Sequence, residues 1–136
     1  MPKLFVHSRE GTFSSEARSK VAAALTDLGM ECERLSKTEH VREGVWVWFS
    51  EHAPDAVFSG GKPVKGPIVA LVVYALEGGL DDDSRTKLIA GATTIFGDHL
   101  GSSEPAPVYV VIQETPEADW GMQGRQVSLA ALRDAS

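Results

Sequence analysis

The sequence has little of what holds small secreted or nucleic-acid-binding proteins together. Its one cysteine, Cys32, stands between Glu31 and Glu33, so neither an intrachain disulfide nor a cysteine metal set can form. It reads as an ordinary core or surface thiol. Basic residues are few: 13 Lys and Arg against 19 Asp and Glu give a net charge of -6, which excludes the basic face of a nucleic-acid scaffold. No apolar run approaches about 20 residues, so no membrane span is expected. The first residues lack the basic segment and apolar run of a signal peptide, and a cytoplasmic protein is the expectation. His7, His40, His52 and His99 show no ligand spacing, and Asp81 to Asp83 lack the rest of a calcium loop. No metal or organic cofactor is expected.

What is present suffices for one compact core: 136 residues of which 43% are hydrophobic. The chain also repeats itself. Glu10-Gly11 lies over Glu77-Gly78, and Arg18-Ser19-Lys20 over Arg85-Thr86-Lys87, at an offset of 67. Further on, Val45 to Glu51 lies over Val108 to Glu114 at an offset of 63, and Gly61-Lys62 over Gly124-Arg125. One short deletion accounts for the change in offset, and the pattern is that of a duplication.

Each half has the same order of elements. A β-like run (Leu4 to His7, Ile68 to Tyr74) leads through a Glu-Gly turn to a helix start, capped by Ser14 or Ser15 in one half and by Asp81 to Asp83 in the other. Ala17, Val21, Ala24, Leu25 and Leu28 fall on one helical face, as do Leu88, Ala92, Ile95, Phe96 and His99. Gly29 and Gly101 stand where these helices are expected to end. A second strand rich in β-branched and aromatic residues closes each unit. A β-α-β crossover makes its strands parallel and covers one sheet face. The expected α/β (α+β) architecture is therefore a tandem β-α-β repeat, units about 2–64 and 67–130 in one domain. A four-stranded sheet carries two helices on one face. The other face is not obviously polar and is expected to pack against other subunits, with Trp46, Trp48 and Phe49 in core or subunit contacts.

The opening Met-Pro, the Glu-Gly turns, the amphipathic helices and Asp119-Trp120-Gly121 together resemble the tautomerase superfamily (MIF-like fold) over essentially the whole chain. The fused two-unit members fit best. Ser50-Glu51-His52-Ala53-Pro54-Asp55 and Ala118-Asp119-Trp120-Gly121 resemble the malonate semialdehyde decarboxylases, and Val57-Phe58-Ser59-Gly60-Gly61 the cis-3-chloroacrylic acid dehalogenases. The resemblance implies a homotrimer and a catalytic amine at Pro2.

After removal of Met1, Pro2 would present a secondary amine. An α-amino group titrates near pH ~8, and burial lowers it further because the cation loses hydration. That is the range a base needs for proton transfer beside a carbonyl. The rigid ring holds the lone pair in one direction. Proline is also common at position 2 simply because it permits Met removal. Pro67, before the second unit, is acylated within the chain and cannot act as a base, so one active amine remains per chain.

The dehalogenase relation further implies a histidine, two arginines and a glutamate, whose positions here hold Gly29, Glu77 and Leu80, and Met122. The decarboxylase-like aspartate maps near Gly44, with Glu43 as the closest acid. Neither specialised activity is supported by these positions. Tautomerisation asks only for a base and a polariser of the enol oxygen. The expected reaction is keto-enol tautomerisation of a small anionic 2-oxo acid or enol by Pro2. Arg125 and its repeat counterpart Lys62 are candidate anion holders, or else exposed loop cations. Trp120 is a candidate pocket wall or interface residue, and Tyr109 a hydrogen-bond donor or an ordinary strand aromatic. The rival readings are hydration, dehalogenation or decarboxylation of a three-carbon acid, and a non-catalytic oligomeric module.

Overall fold

A computed structural model describes residues 1–101 and 105–135. The first unit comprises β1 (Lys3–Arg9), α1 (Ser15–Cys32), the short α2 (Glu39–Glu43) and β2 (Trp46–His52). A 3-10 turn at Pro54–Ala56 leads to a small hairpin, β3 (Phe58–Ser59) and β4 (Lys62–Pro63). The second unit follows as β5 (Val69–Leu76), α3 (Asp82–Gly97) and β6 (Val108–Thr115). It too is followed by a 3-10 turn, Glu117–Asp119, and a hairpin, β7 (Gly121–Met122) and β8 (Arg125–Gln126). The last described helix is α4 (Leu129–Asp134).

The helix starts follow from local hydrogen bonding. The Ser14 hydroxyl accepts from Ala17 N at 3.0 Å and caps α1. Asp81 and Ser84 form a reciprocal capping box on α3, each side chain accepting from the other's backbone N–H at 2.8 Å. The acidic run at Asp81 to Asp83 is thus a helix start.

The four long strands form one sheet in the order β2-β1-β5-β6. Each unit contributes a parallel pair, and the two units meet at the antiparallel pair β1/β5, where Lys3 stands opposite Tyr74 and Val6 opposite Leu71. Both terminal hairpins keep the offset of 63, so Phe58 corresponds to Gly121 and Lys62 to Arg125. Strand alternation sends Leu4, Val6, Leu71 and Val73 to the helix side, where they are completely buried against Val21, Leu25, Leu88 and Phe96. The helices touch closely at Gly91, where a Cβ would stand 3.0 Å from the Leu28 methyls. The tandem β-α-β sheet with two major helices is the expected tautomerase (MIF-like) architecture. Among the described residues, no helix is long and apolar enough to cross a membrane.

The helix ends differ from expectation. Gly29 does not terminate α1, which continues to Cys32 with Glu33 as its cap. A Cβ at Gly29 would stand 2.8 Å from Pro2 Cγ, so this glycine admits the chain's start. Helix α3 stops at Gly97, and Gly101 adopts φ +90 in the connection beyond. Both strands beginning the units are also longer than the apolar runs alone suggest, because pairing continues to Arg9 and to Leu76.

The sheet face away from the helices is apolar. Phe5, Val72, Tyr74 and Val111 lie on it, with Trp46 47%, Trp48 54% and Tyr109 58% exposed. Phe49, on the opposite side of β2, packs into the core.

Gly29→Ala tests the packing of Pro2. In an open helix this change adds up to about 1 kcal/mol of stability. Here the new methyl meets a rigid ring, and overpacking of that kind costs about 1–3 kcal/mol. Thermal unfolding is expected to show a lower Tm for the variant; an unchanged or higher Tm would refute the close contact.

Candidate active site

Pro2 leads into β1 and is fully buried against Gly29 of α1. Met1 is buried as well, at 8% exposure, and its side chain lies against Gly44, where any Cβ would overlap Met1 Sδ. The terminal amine sits 3.4 Å from Glu33 Oε2.

Glu33 is the least expected residue of this group. It follows the last turn of α1, is 1% exposed, and its carboxylate oxygens have no hydrogen bond among the described residues. Its side chain rests on Gly79, where a Cβ would lie 3.6 Å from Glu33 Cγ and Cδ. Arg133 of α4 fastens the same corner, donating from Nε to Glu33 O at 3.1 Å and from Nη2 to Gly79 O at 3.0 Å. Burial pushes the Glu33 carboxyl above its ordinary range, opposed by the terminal amine, the Leu76 backbone N–H and the charge of Arg133. Burial pulls the amine below its ordinary value, opposed by Glu33. Each group is therefore displaced toward its neutral form and is charged most readily with the other.

Lys3 adds a cation at the same end of the sheet. Its Nζ donates to Gly44 O and lies 4.4 Å from the centroid of the Trp46 ring. Half-burial lowers this amine to about 8.

Outside Met1 lies a pocket of about 390 Å³, bounded by His40, Glu43, Gly44, Arg125, Val127 and Leu132. A neighbouring trough of about 510 Å³ on the open sheet face is walled by Lys3, Phe5, Trp46, Trp48 and Trp120. Trp46 and Met122 border both. A larger cavity of about 680 Å³ lies near the other end of β1, where His7 Nδ1 and His52 Nε2 stand 3.1 Å apart. No lysine or arginine lines it, and it is remote from the amine in the β1 register, so the smaller pocket is the better catalytic candidate.

Within the chain, the fold thus gathers Pro2, Arg125 and Trp120 at one end. Arg125 borders the Met1 pocket, and Trp120 is a 9% exposed core residue bordering the trough. Tyr109 faces the histidine cavity, and Lys62 lies exposed on the first hairpin; neither reaches this pocket. Glu33 and Lys3 were not singled out from sequence. One signal for Glu33 was present: Val21, Leu25, Gly29 and Glu33 recur every four residues, which places a carboxylate on the buried stripe. Cys32 is buried, and burial raises its thiol.

Lys3 yields a pH prediction. Its folded value of about 8 lies below the ordinary 10.5, so the folded state binds this proton less tightly. The associated stability is complete above 10.5 and is lost as pH falls through about 8. Denaturant unfolding between these limits is expected to show stability rising with pH more steeply in the parent chain than in Lys3→Met. Equal slopes would rule out the desolvated amine.

Residues 69–130 match the family model described as Tautomerase enzyme. No curated protein matches the sequence. Among solved structures, the chain is similar to N1, a member of the cis-3-chloroacrylic acid dehalogenase family, with 25% identity and a TM-score of 0.79 over 93% of this chain and 83% of that one. It is also similar to Pt0534 inactivated by 2-oxo-3-pentynoate, at 22% identity and a TM-score of 0.77 over 95% of this chain and 97% of that one. A fused 4-OT forming a symmetric trimer has 21% identity and a TM-score of 0.75, covering 95% of this chain and 97% of that one.

Proposed function

We propose that this chain, of the tautomerase superfamily and its fused two-unit type, is a cofactor-independent keto-enol tautomerase with the Pro2 amine as general base. The observation that carries the reading is the burial of the chain's start against Gly29, beside a pocket bordered by Arg125. Removal of Met1 converts the Pro2 amide into a secondary amine. It also opens the space in which the Met1 side chain now lies. Burial disfavours the protonated form of such an amine, which can then take a proton from the carbon beside a carbonyl.

The substrate in this proposal is a small 2-oxo acid or its enol. Arg125 and Lys3 are the cations available at this end for its carboxylate, and Trp120 helps wall the apolar trough. The two units, about 2–64 and 67–130, act as one domain, and three chains assemble through their open sheet faces into a cytoplasmic homotrimer. The exposed Trp46, Trp48 and Tyr109 supply an apolar patch of the kind such contacts cover. In the assembly, Tyr109 and Lys62 of one chain can serve a neighbour's pocket.

Glu43, which borders the Met1 pocket, favours one second reading: hydration or decarboxylation of a three-carbon acid, with this carboxylate handling water. Product analysis separates the two, since only the second consumes water or releases carbon dioxide.

Intact mass is expected to show loss of Met1, and Pro2→Ala to lower turnover of an enolpyruvate at least ~10²-fold, the usual scale for a positioned base. Retained Met1 in an active preparation, or undiminished turnover by Pro2→Ala, would overturn the proposal.

A further inference from the structure

Met1 occupies space that its own removal would open, and its atoms mark the surroundings. Its carbonyl carbon is bonded to Pro2 N, the atom that becomes the amine. Its nitrogen lies 3.4 Å from Glu33 Oε2 and, with the extended backbone that a residue before proline adopts, about 3.5 Å from Pro2 N. Its side chain reaches the hollow left by Gly44. An atom taking the place of the Met1 nitrogen would therefore stand within reach of the Pro2 amine and the Glu33 carboxyl together. That is the geometry an acid-base pair requires around a reacting atom.

We propose that Glu33 is the second catalytic group of this site, a carboxylic acid that exchanges a proton with the substrate oxygen while Pro2 exchanges one with the substrate carbon. This rests on the reading of Pro2 as the base. In enolisation, the neutral amine takes the proton from the carbon beside the carbonyl as the C–H bond breaks and the C=C bond forms. The Glu33 carboxyl gives its proton to the carbonyl oxygen, completing the enol O–H. An ammonium and a carboxylate remain, and return of the proton from nitrogen to oxygen, directly or through solvent, restores the starting pair. Ketonisation runs the same steps backward from the charged pair. Glu33 thus supplies the polariser of the enol oxygen that the family-type arginines and histidine do not provide here.

The surroundings suit this role. The ionisable groups that act on the amine and Glu33 are Lys3 on β1, Cys32 on α1 and Arg133 on α4. Arg133 is held by two backbone carbonyls, Glu33 O and Gly79 O, and gives neither carboxylate oxygen a hydrogen bond. The hollow at Gly44 also defines the substrate: a 2-oxo acid with an unbranched apolar tail, in place of the methionine side chain.

The test uses the full chain without Met1. Glu33→Gln keeps the shape and a hydrogen bond but cannot transfer the proton, and kcat is expected to fall ~10²–10⁴-fold. The parent kcat should show two pH limbs belonging to the coupled pair, and Glu33→Gln should lose one of them. Glu33→Asp should keep both limbs at reduced kcat. Labelling by 2-oxo-3-pentynoate, read by mass at Pro2, should persist in Glu33→Gln. If Glu33→Gln fails to fold, the parent with ¹³C-labelled glutamate decides: the Glu33 carboxyl and the Pro2 nitrogen must report the same two transitions. Unchanged kcat and both limbs in Glu33→Gln, or independent titrations in the parent, would overturn the role of Glu33. Absence of Pro2 labelling in the parent would instead overturn the reading of Pro2 beneath it.

Discussion

The structure turns on the burial of an amino terminus. Chain ends normally stay in water because a desolvated charge is costly. Here Met1 and Pro2 lie beneath α1, and Glu33, the acid in ion-pair distance of the amine, is itself buried. Burial disfavours the charge of each, and each charge opposes that effect on the other. Gly29 and Gly44 provide the room, and Arg133 secures the corner from α4. These features make little sense as stabilising devices, because a buried ion pair seldom outweighs its own desolvation. They suit the proton transfer proposed for this site.

The duplication shows how one fold can carry such a site in only one of its halves. At the offset of 67, Gly29 corresponds to Phe96, Glu33 to Leu100 and Lys3 to Ala70. In the second unit, Phe96 is completely buried and fills its helix-sheet interface with an aromatic ring. In the first, the equivalent helix position carries no side chain, and the chain's start fills the volume. The two halves thus share a backbone plan, one filling this gap between helix and sheet with an aromatic ring and the other with the chain's start. Pro67 cannot copy Pro2 whatever its surroundings, since its nitrogen is an amide.

The open face of the sheet links this chemistry to assembly. Its trough begins beside Lys3 and Trp46, of which Trp46 also borders the terminal pocket, and continues over Trp48 and Trp120. Covering that face would withdraw water from Lys3 and strengthen the fields around the amine. Assembly and proton transfer would then depend on the same surface.

Much of the plan was legible in the sequence. Period-two strands, four-residue helical stripes and the two offsets of the repeat specified the sheet and the paired helices, because those depend on local periodicity and on burying one face. Pro2 was legible as a candidate because a free secondary amine depends on covalent position. Glu33, Lys3, Gly29 and Gly44 were not. A glutamate after a helix and a lysine in a first strand look like ordinary solvated charges until the fold closes over them. Gly29 read as a helix stop and Gly44 as the position near the decarboxylase-like aspartate, and neither showed that the chain's start packs against it. Periodicity along the chain determined which faces would be buried. Only the tertiary structure decided which polar groups would lose their water together, because desolvation depends on what packs across a gap from distant parts of the sequence.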